Sequence, residues 1–185
     1  MMVDFSEAYP VENIHNSIEE AAKKHNEYPI KYHRKVREVF DSQPNHHKIY
    51  SFSRAGYLRA PKYTHSLWAG DQSMNFKKHS GLPSCLTAMI SSGLVGYSNT
   101  HCDIGGYTFF TLLIHPISSR TYILLERWLQ LSAFSPVFRS HEGNAPDKTL
   151  QIYSDEEVLN DFSFYSNVYV SLANYRKKQA IKSQK

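Results

Sequence analysis

The run His65-Ser66-Leu67-Trp68-Ala69-Gly70-Asp71-Gln72 starts as a short apolar segment, His65 to Ala69, and ends in a glycine, a carboxylate and an amide. Downstream, Leu82 to Leu94 places apolar residues at Leu82, Leu86, Met89, Ile90 and Leu94, which is the spacing of an amphipathic helix. Strand, polar strand end and helix together make one βα unit. The same order recurs toward the C-terminus. Leu94 to Tyr97 leads into His101-Cys102-Asp103-Ile104-Gly105-Gly106-Tyr107, with a helix from about Ser119 to Leu131. Ala133 to Val137 then ends at Phe138-Arg139-Ser140-His141-Glu142. Toward the N-terminus, His47 to Phe52 is a strand candidate that ends at Ser53-Arg54-Ala55-Gly56. Ile14 to Phe40 reads as two helices broken at Tyr28-Pro29, because proline lacks an amide donor and biases the residue before it away from the helical region. Asp155 to Lys178 reads as a last amphipathic helix, with Ser154 as N-cap and Glu157 three residues on.

Alternating strands and helices predict an α/β fold with a parallel sheet, and polar residues at successive strand ends predict a (β/α)₈ TIM barrel, whose sites are built from those loops. A closed barrel takes about 250 residues. With 185 residues and few recognisable units, the chain is expected to form an incomplete C-terminal portion of such a barrel over residues 1–180, followed by a polar tail at 181–185.

Composition narrows the class further. Hydrophobic residues make up 41% and aromatics 14% of the chain, enough for one core and too much for a disordered or collagen-like segment. Lys and Arg number 21 against 17 Asp and Glu, a net charge of +4 concentrated at His33-Arg34-Lys35 and Tyr175-Arg176-Lys177-Lys178. Those runs suit solvated helix faces, and no basic stripe with interleaved stacking aromatics points to a nucleic-acid partner. Cys85 and Cys102 lack the spacing of a zinc site or a disulfide framework, and a reducing, cytoplasmic setting is compatible with them. No apolar run approaches the roughly 20 residues that span a bilayer, so no membrane partner is expected.

Three aspartates, Asp4, Asp71 and Asp103, sit at strand ends in company with Arg54, Arg139 and His141. Hydrolysis of a glycosidic bond needs two carboxyl groups flanking that bond, and a barrel gathers residues that are distant in sequence. Taken singly, each residue also has a plain structural use: a cap for Asp103, an ion pair for Arg54, a buried hydrogen-bonded ring for His141.

Five ordered segments carry a resemblance to glycoside hydrolase family 31, closest to its sulfoquinovosidase branch, from residue 3 to about Tyr175. Val3-Asp4-Phe5-Ser6-Glu7, with Tyr9-Pro10 after it, resembles the nucleophile segment. Phe52-Ser53-Arg54-Ala55-Gly56-Tyr57 is similar to the sugar-binding arginine segment, and Leu67-Trp68-Ala69-Gly70-Asp71-Gln72 to the acid/base segment. His101 to Tyr107 and Phe134 to Asn144 complete the set. The resemblance implies a retaining α-glycosidase in which Asp4 is the nucleophile and Asp71 the acid/base. It further implies that Arg54, Trp68, Asp103, Tyr107 and His141 contact an α-glycoside, without metal or cofactor. Tyr107 and the run His141-Glu142-Gly143-Asn144 favour a sulfonated sugar. Ser6 departs from the glycine usual in that branch and adds a side chain beside Asp4, where backbone strain or a narrowed pocket could follow but serine is small enough to be tolerated. The early barrel strands and the β-rich domain that precede these segments in the family have no counterpart in the 185 residues. A catalytically silent carbohydrate-binding or interaction module is therefore the alternative to an enzyme.

Overall fold

The computed structural model describes residues 1–11, 17–112 and 115–183, which divide into two compact units, Met1–Trp68 and Ala69–Lys185. In the first unit, β1 (Met2–Val3), β2 (Phe52–Ser53) and β3 (Ser66–Trp68) form parallel pairs in the order β1-β2-β3, with Met2 opposite Phe52 and Phe52 opposite Ser66. Parallel neighbours need a long crossover, supplied here by α1 (Ile18–Asp41).

Helix α1 runs unbroken for 24 residues through Pro29, which corrects the expected break at Tyr28-Pro29. The residues from Ile14 to Asn16 lie outside the described ones. An internal proline costs about 3 kcal/mol through one lost hydrogen bond and a ring clash. Several features of α1 offset that cost. Ser17 caps the helix by accepting from the Glu20 amide at 3.1 Å, and the Glu27–Lys31 ion pair at 3.4 Å brackets the proline. Pro29 itself is buried with Ala21, His33 and Phe40, so packing favours leaving the helix straight. A second correction concerns His47 to Phe52: His46–Lys48 is a 3₁₀ turn, and only Phe52–Ser53 pairs as strand. In that turn the amides of Lys48 and Ile49 bond back to Asn45 and His46, so the backbone is satisfied locally before the chain becomes buried at Ser51.

In the second unit α2 spans Leu82–Leu94, as its periodicity predicts. Leu94 to Tyr97, however, is the end of that helix and not a strand. The Tyr97 amide bonds to Ser92 O at 3.0 Å and the Gly96 amide to Gly93 O at 3.3 Å, with Gly96 at φ +95°. This is a Schellman C-cap, which needs the left-handed conformation that glycine adopts without penalty. The strand follows later as β4 (Thr100–His101).

An antiparallel hairpin, β5 (Phe110–Leu112) with β6 (His115–Ser118), precedes α3 (Tyr122–Ala133) and was not anticipated. Ala133 to Val137 makes no strand. The chain turns out of α3 there, and pairing reduces to a single parallel bridge between Ile104 and Ser140. The C-terminal helix is two, α4 (Glu156–Ser171) and α5 (Ala173–Lys182). Asp155, not Ser154, caps α4, accepting from the Val158 amide at 2.9 Å, while Ser154 Oγ accepts from the Gln151 amide at 2.7 Å. The core of this unit packs Trp128, Leu124, Leu125 and Leu129 of α3 with Met74, Cys85, Cys102, Ile104 and Val158. Cys85 and Cys102 are both free thiols in that core.

Candidate active-site clusters

In the first unit, Asp4 follows β1 directly and accepts from the Phe5 amide at 2.7 Å. Phe5 adopts φ +59°, a left-handed conformation that costs an L-residue with a bulky side chain roughly 1–2 kcal/mol. Such strain persists where the surroundings hold it, and here Arg54 does so. Its guanidinium lies 5.0 Å from the Phe5 ring centroid and 5.5 Å from that of Trp68. Nε reaches Asp4 Oδ1 at 3.1 Å and Glu7 Oε1 at 2.8 Å, and Nη2 reaches Glu7 Oε1 at 2.6 Å. Asp4, Arg54 and Trp68 are thus brought together, with Glu7 as a partner that was not singled out among the sequence candidates. Trp68 is only 2% exposed, so it supports the arginine from below.

Ser6 neither strains the backbone nor narrows the space beside Asp4, because the positive φ falls on Phe5 and Ser6 is fully buried. Its Oγ faces inward, 3.3 Å from His33 Nε2, which donates to Ala55 O at 2.9 Å. Burial lowers the His33 pKa, against the opposing influence of the Ala55 hydrogen bond and the Glu7 charge.

In the second unit, the loop from Gly70 to Ser73 is sewn to residues 107–108. Gln72 O accepts from the amides of Tyr107 and Thr108 at 2.8 and 2.9 Å, and Thr108 Oγ1 donates to Asp71 O at 3.1 Å. Asp71 itself is exposed at this strand end. Asp103 is fully buried just beyond β4 and forms an ion pair with Arg139, whose carbonyl accepts from the Ile104 amide at 3.0 Å. Asp103 is therefore not a helix cap. Tyr107 lies edge-on to His141, with ring centroids 4.9 Å apart. The Gly143 amide donates to His141 Nδ1 at 3.0 Å, which leaves the proton of the neutral ring on Nε2, a donor. Burial lowers the His141 pKa first, Arg139 and Arg120 lower it further, and Asp71 and Glu142 oppose them.

Arg120 was missed by sequence reasoning. It is 3% exposed, and its guanidinium donates to the carbonyls of Gly105 (3.1 Å), Gly106 (2.7 Å), His141 (2.7 Å) and Leu150 (3.1 Å) and to Gln151 Oε1 (3.0 Å). Gly105, at φ +87°, is where this side chain passes closest, since a Cβ there would lie 2.4 Å from Arg120 Nε. The space that glycine leaves at Gly105 is thus taken by the Arg120 side chain. Sequence offered one faint signal, an arginine immediately before Thr121, the N-cap of α3.

One buried histidine, His33, and two half-buried ones, His65 and His141, set an expected pH dependence of stability. The pKa of His33, His65 and His141 is lowered in the fold from the ordinary 6.5, mainly by burial. The unfolded chain therefore binds more protons near and below pH 6.5, and stability should fall as pH drops from about 7 toward 5. For the fully buried His33 the slope is at most about 1.4 kcal/mol per pH unit. Urea unfolding at a series of pH values checks this, and stability that rises on acidification would contradict it.

Among the described residues, no group of three or more His, Cys, Asp or Glu could hold a metal ion. Against known proteins, the chain is 36% identical over all of its 185 residues to a sulfoquinovosidase from Agrobacterium fabrum, of which it spans 27%. It is 34% identical to the sulfoquinovosidase of Escherichia coli over 96% of the chain and 25% of that protein. In structure it resembles a sulfoquinovosidase from E. rectale solved with an aza-sugar inhibitor, with a TM-score of 0.87 and 35% identity over 98% of this chain and 27% of that one. A cycloalternan-degrading enzyme from Trueperella pyogenes shares the fold at 21% identity, with a TM-score of 0.67 over 87% of this chain and 23% of that one. Residues 1–175 match the family 31 TIM-barrel domain of the glycosyl hydrolases, and the chain, spanning about a quarter of the length of its sulfoquinovosidase relatives, belongs to that family.

Proposed function

We propose that the chain carries the catalytic part of a retaining α-glycosidase that hydrolyses α-linked sulfoquinovosides or related α-glucosides. The observation that supports this most is the strained strand end at Asp4, clamped by Arg54 at 3.1 Å, in a chain 36% identical along its whole length to a sulfoquinovosidase. In this reading Asp4 attacks the anomeric carbon while Asp71 protonates the departing oxygen, and the bond to the aglycone breaks. Water then attacks the glycosyl-enzyme, Asp71 takes its proton, and Asp4 leaves as a carboxylate. Two carboxyl groups are sufficient for this double displacement, so no metal or organic cofactor is called for. Arg54 holds Asp4 in place, Trp68 supports Arg54, and Asp103, Tyr107 and His141 contact the sugar. His141 Nε2–H is suited to a hydroxyl oxygen.

The reading is tested by assaying the 185-residue chain, and any longer form of the protein, on paired chromogenic sulfoquinovoside and glucoside substrates. Hydrolysis with retained configuration supports it, and inverted product rules it out. The short coverage of the relatives favours one second reading, a carbohydrate-binding or interaction module without turnover. Sugar binding without hydrolysis in every form assayed would decide for that module.

Tyr107 separates the two substrate classes. Among the described residues no hydrogen-bond partner takes up its hydroxyl, so it can serve a ligand. Tyr107→Phe is expected to weaken sulfoquinovoside hydrolysis more than glucoside hydrolysis, because one donor to an ionised group is worth about 1.5–3 kcal/mol, less through water. Equal losses on both substrates would remove Tyr107 as a reason to expect a sulfonate.

A further inference from the structure

We propose that Arg120 is a positioning residue that locks Tyr107 and His141 into one unit and keeps the His141 ring a neutral Nε2–H donor toward the sugar. The sugar contact rests on the glycosidase reading; the coupling of Arg120 to His141 does not.

The geometry is unusual for a buried arginine. A guanidinium has five N–H donors, and here all five find acceptors, four of them main-chain carbonyls and one a neutral amide oxygen. Burial accordingly lowers the Arg120 pKa to about 10, opposed through space by Asp103 and Tyr153, and the group remains a cation at neutral pH. Carbonyl dipoles hold this cation in place without cancelling its charge. Two of the carbonyls, those of Gly105 and Gly106, lead directly into Tyr107. A third belongs to His141 itself, at 2.7 Å. One rigid side chain therefore spans the turn that carries Tyr107 and the segment that carries His141, and the edge-on contact between the two rings follows from that span. Gln151 closes the far side: its Oε1 accepts from Arg120 Nη1 while its Nε2 donates to Glu142 O at 3.1 Å, pulling in the residue after His141.

The electrostatics act in the same direction. His141 faces Arg139 and Arg120 as cations and Asp71 and Glu142 as carboxylates, with Arg139 already paired to Asp103 and Glu142 accepting from the Tyr153 hydroxyl at 2.7 Å. Arg120 is thus the cation near His141 that has no directly bonded carboxylate to neutralise it. A protonated His141 would also lose the bond from the Gly143 amide, because Nδ1 would no longer accept.

The experiment is an NMR titration of His141 in the wild-type 185-residue chain and in Arg120→Gln and Arg120→Lys. In the wild type the midpoint is expected below that of an exposed histidine, and a midpoint at or above it overturns the proposal whether or not the variants fold. Arg120→Gln, confirmed as folded by its amide spectrum, should move the midpoint up. Arg120→Lys keeps the charge and should hold the midpoint low while loosening the Tyr107–His141 contact, seen as loss of the ring-current shift on the His141 ring protons. An unchanged midpoint in Arg120→Gln reduces Arg120 to a structural clamp and overturns the coupling. In an active form of the enzyme, Arg120→Lys should raise KM on the order of tenfold with a smaller change in kcat, the pattern of weakened binding held alike in ground and transition states. Absence of hydrolysis in every form, with the titrations as stated, would count against the glycosidase reading and leave the Arg120 coupling in place.

Discussion

Asp4→Ala is expected to abolish turnover of every α-glycoside by about 10⁴-fold or more, because without that carboxylate no glycosyl-enzyme can form. Asp71→Ala should fail differently. A general acid contributes roughly 10²–10⁴-fold, and its contribution shrinks as the leaving group needs less help. Substrates with acidic phenol leaving groups should therefore keep much of their rate in Asp71→Ala, while alkyl glycosides lose it. Added azide should partly restore turnover of Asp71→Ala on activated substrates by attacking the intermediate without a general base, giving a glycosyl azide of retained configuration, whereas any azide turnover by Asp4→Ala must be a single displacement that gives the inverted glycosyl azide. The comparison is made in a form of the protein that turns over substrate, with circular dichroism confirming that each variant folds. If both variants lose rate to the same extent on every leaving group, the assignment of separate roles is wrong. If Asp4→Ala gives the retained glycosyl azide and Asp71→Ala the inverted one, the two roles are exchanged.

The local structure of Asp4 makes the first of those variants informative. Replacing Asp4 removes one partner of Arg54 while Glu7 keeps the other, with bonds of 2.6 and 2.8 Å to the guanidinium. The arginine should therefore stay where it is, between Phe5 and Trp68, and the loss of rate can be attributed to the missing nucleophile rather than to collapse of the strand end.

How much of this was legible in the sequence differs between strand ends and strands. The candidate polar residues, Asp4, Arg54, Asp71, Asp103 and His141, stand out in the sequence because they follow apolar runs in a fixed order that resembles a known family, although the run before His141 forms no strand. The strands themselves were poorly bounded, since β1, β2 and β4 are only two residues long, too short for any alternation to show. Leu94 to Tyr97 is apolar in sequence but is a glycine-terminated helix end, a signal that Gly96 offered and the apolar run obscured. Pro29 was read as a helix breaker because its local cost is known, whereas its burial in α1 is a property of tertiary packing. Arg120 was invisible for a related reason. Its partners are mostly main-chain carbonyls, and a carbonyl leaves no mark on residue type. Glu7 lay inside a quoted motif, but its competition with Asp4 for one guanidinium is a matter of distance alone.

Trp128→Ala is the substitution expected to cost the second unit the most stability, about 3 kcal/mol. The ring is fully buried at the centre of the α3 core, and removing a buried tryptophan ordinarily costs about 3–5 kcal/mol through lost transfer energy and the cavity left behind. One term pulls the figure toward the low end. Among the described residues the indole Nε1 has no hydrogen-bond partner, and deleting an unsatisfied buried donor recovers part of a penalty of about 1–3 kcal/mol. Trp128→Phe removes the same donor while keeping most of the apolar volume, so it should cost far less than Trp128→Ala. The damage should also reach the proposed site, because the tip of the Trp128 ring lies against Gly106, where a Cβ would sit 3.1 Å from Cη2. Hydrogen exchange of the α3 amides measures the loss directly, and the Tyr107–His141 ring-current shift reports whether the turn has moved. A loss below about 1 kcal/mol in Trp128→Ala, or equal losses in the alanine and phenylalanine variants, would show that the packing around this ring is not what holds the second unit together.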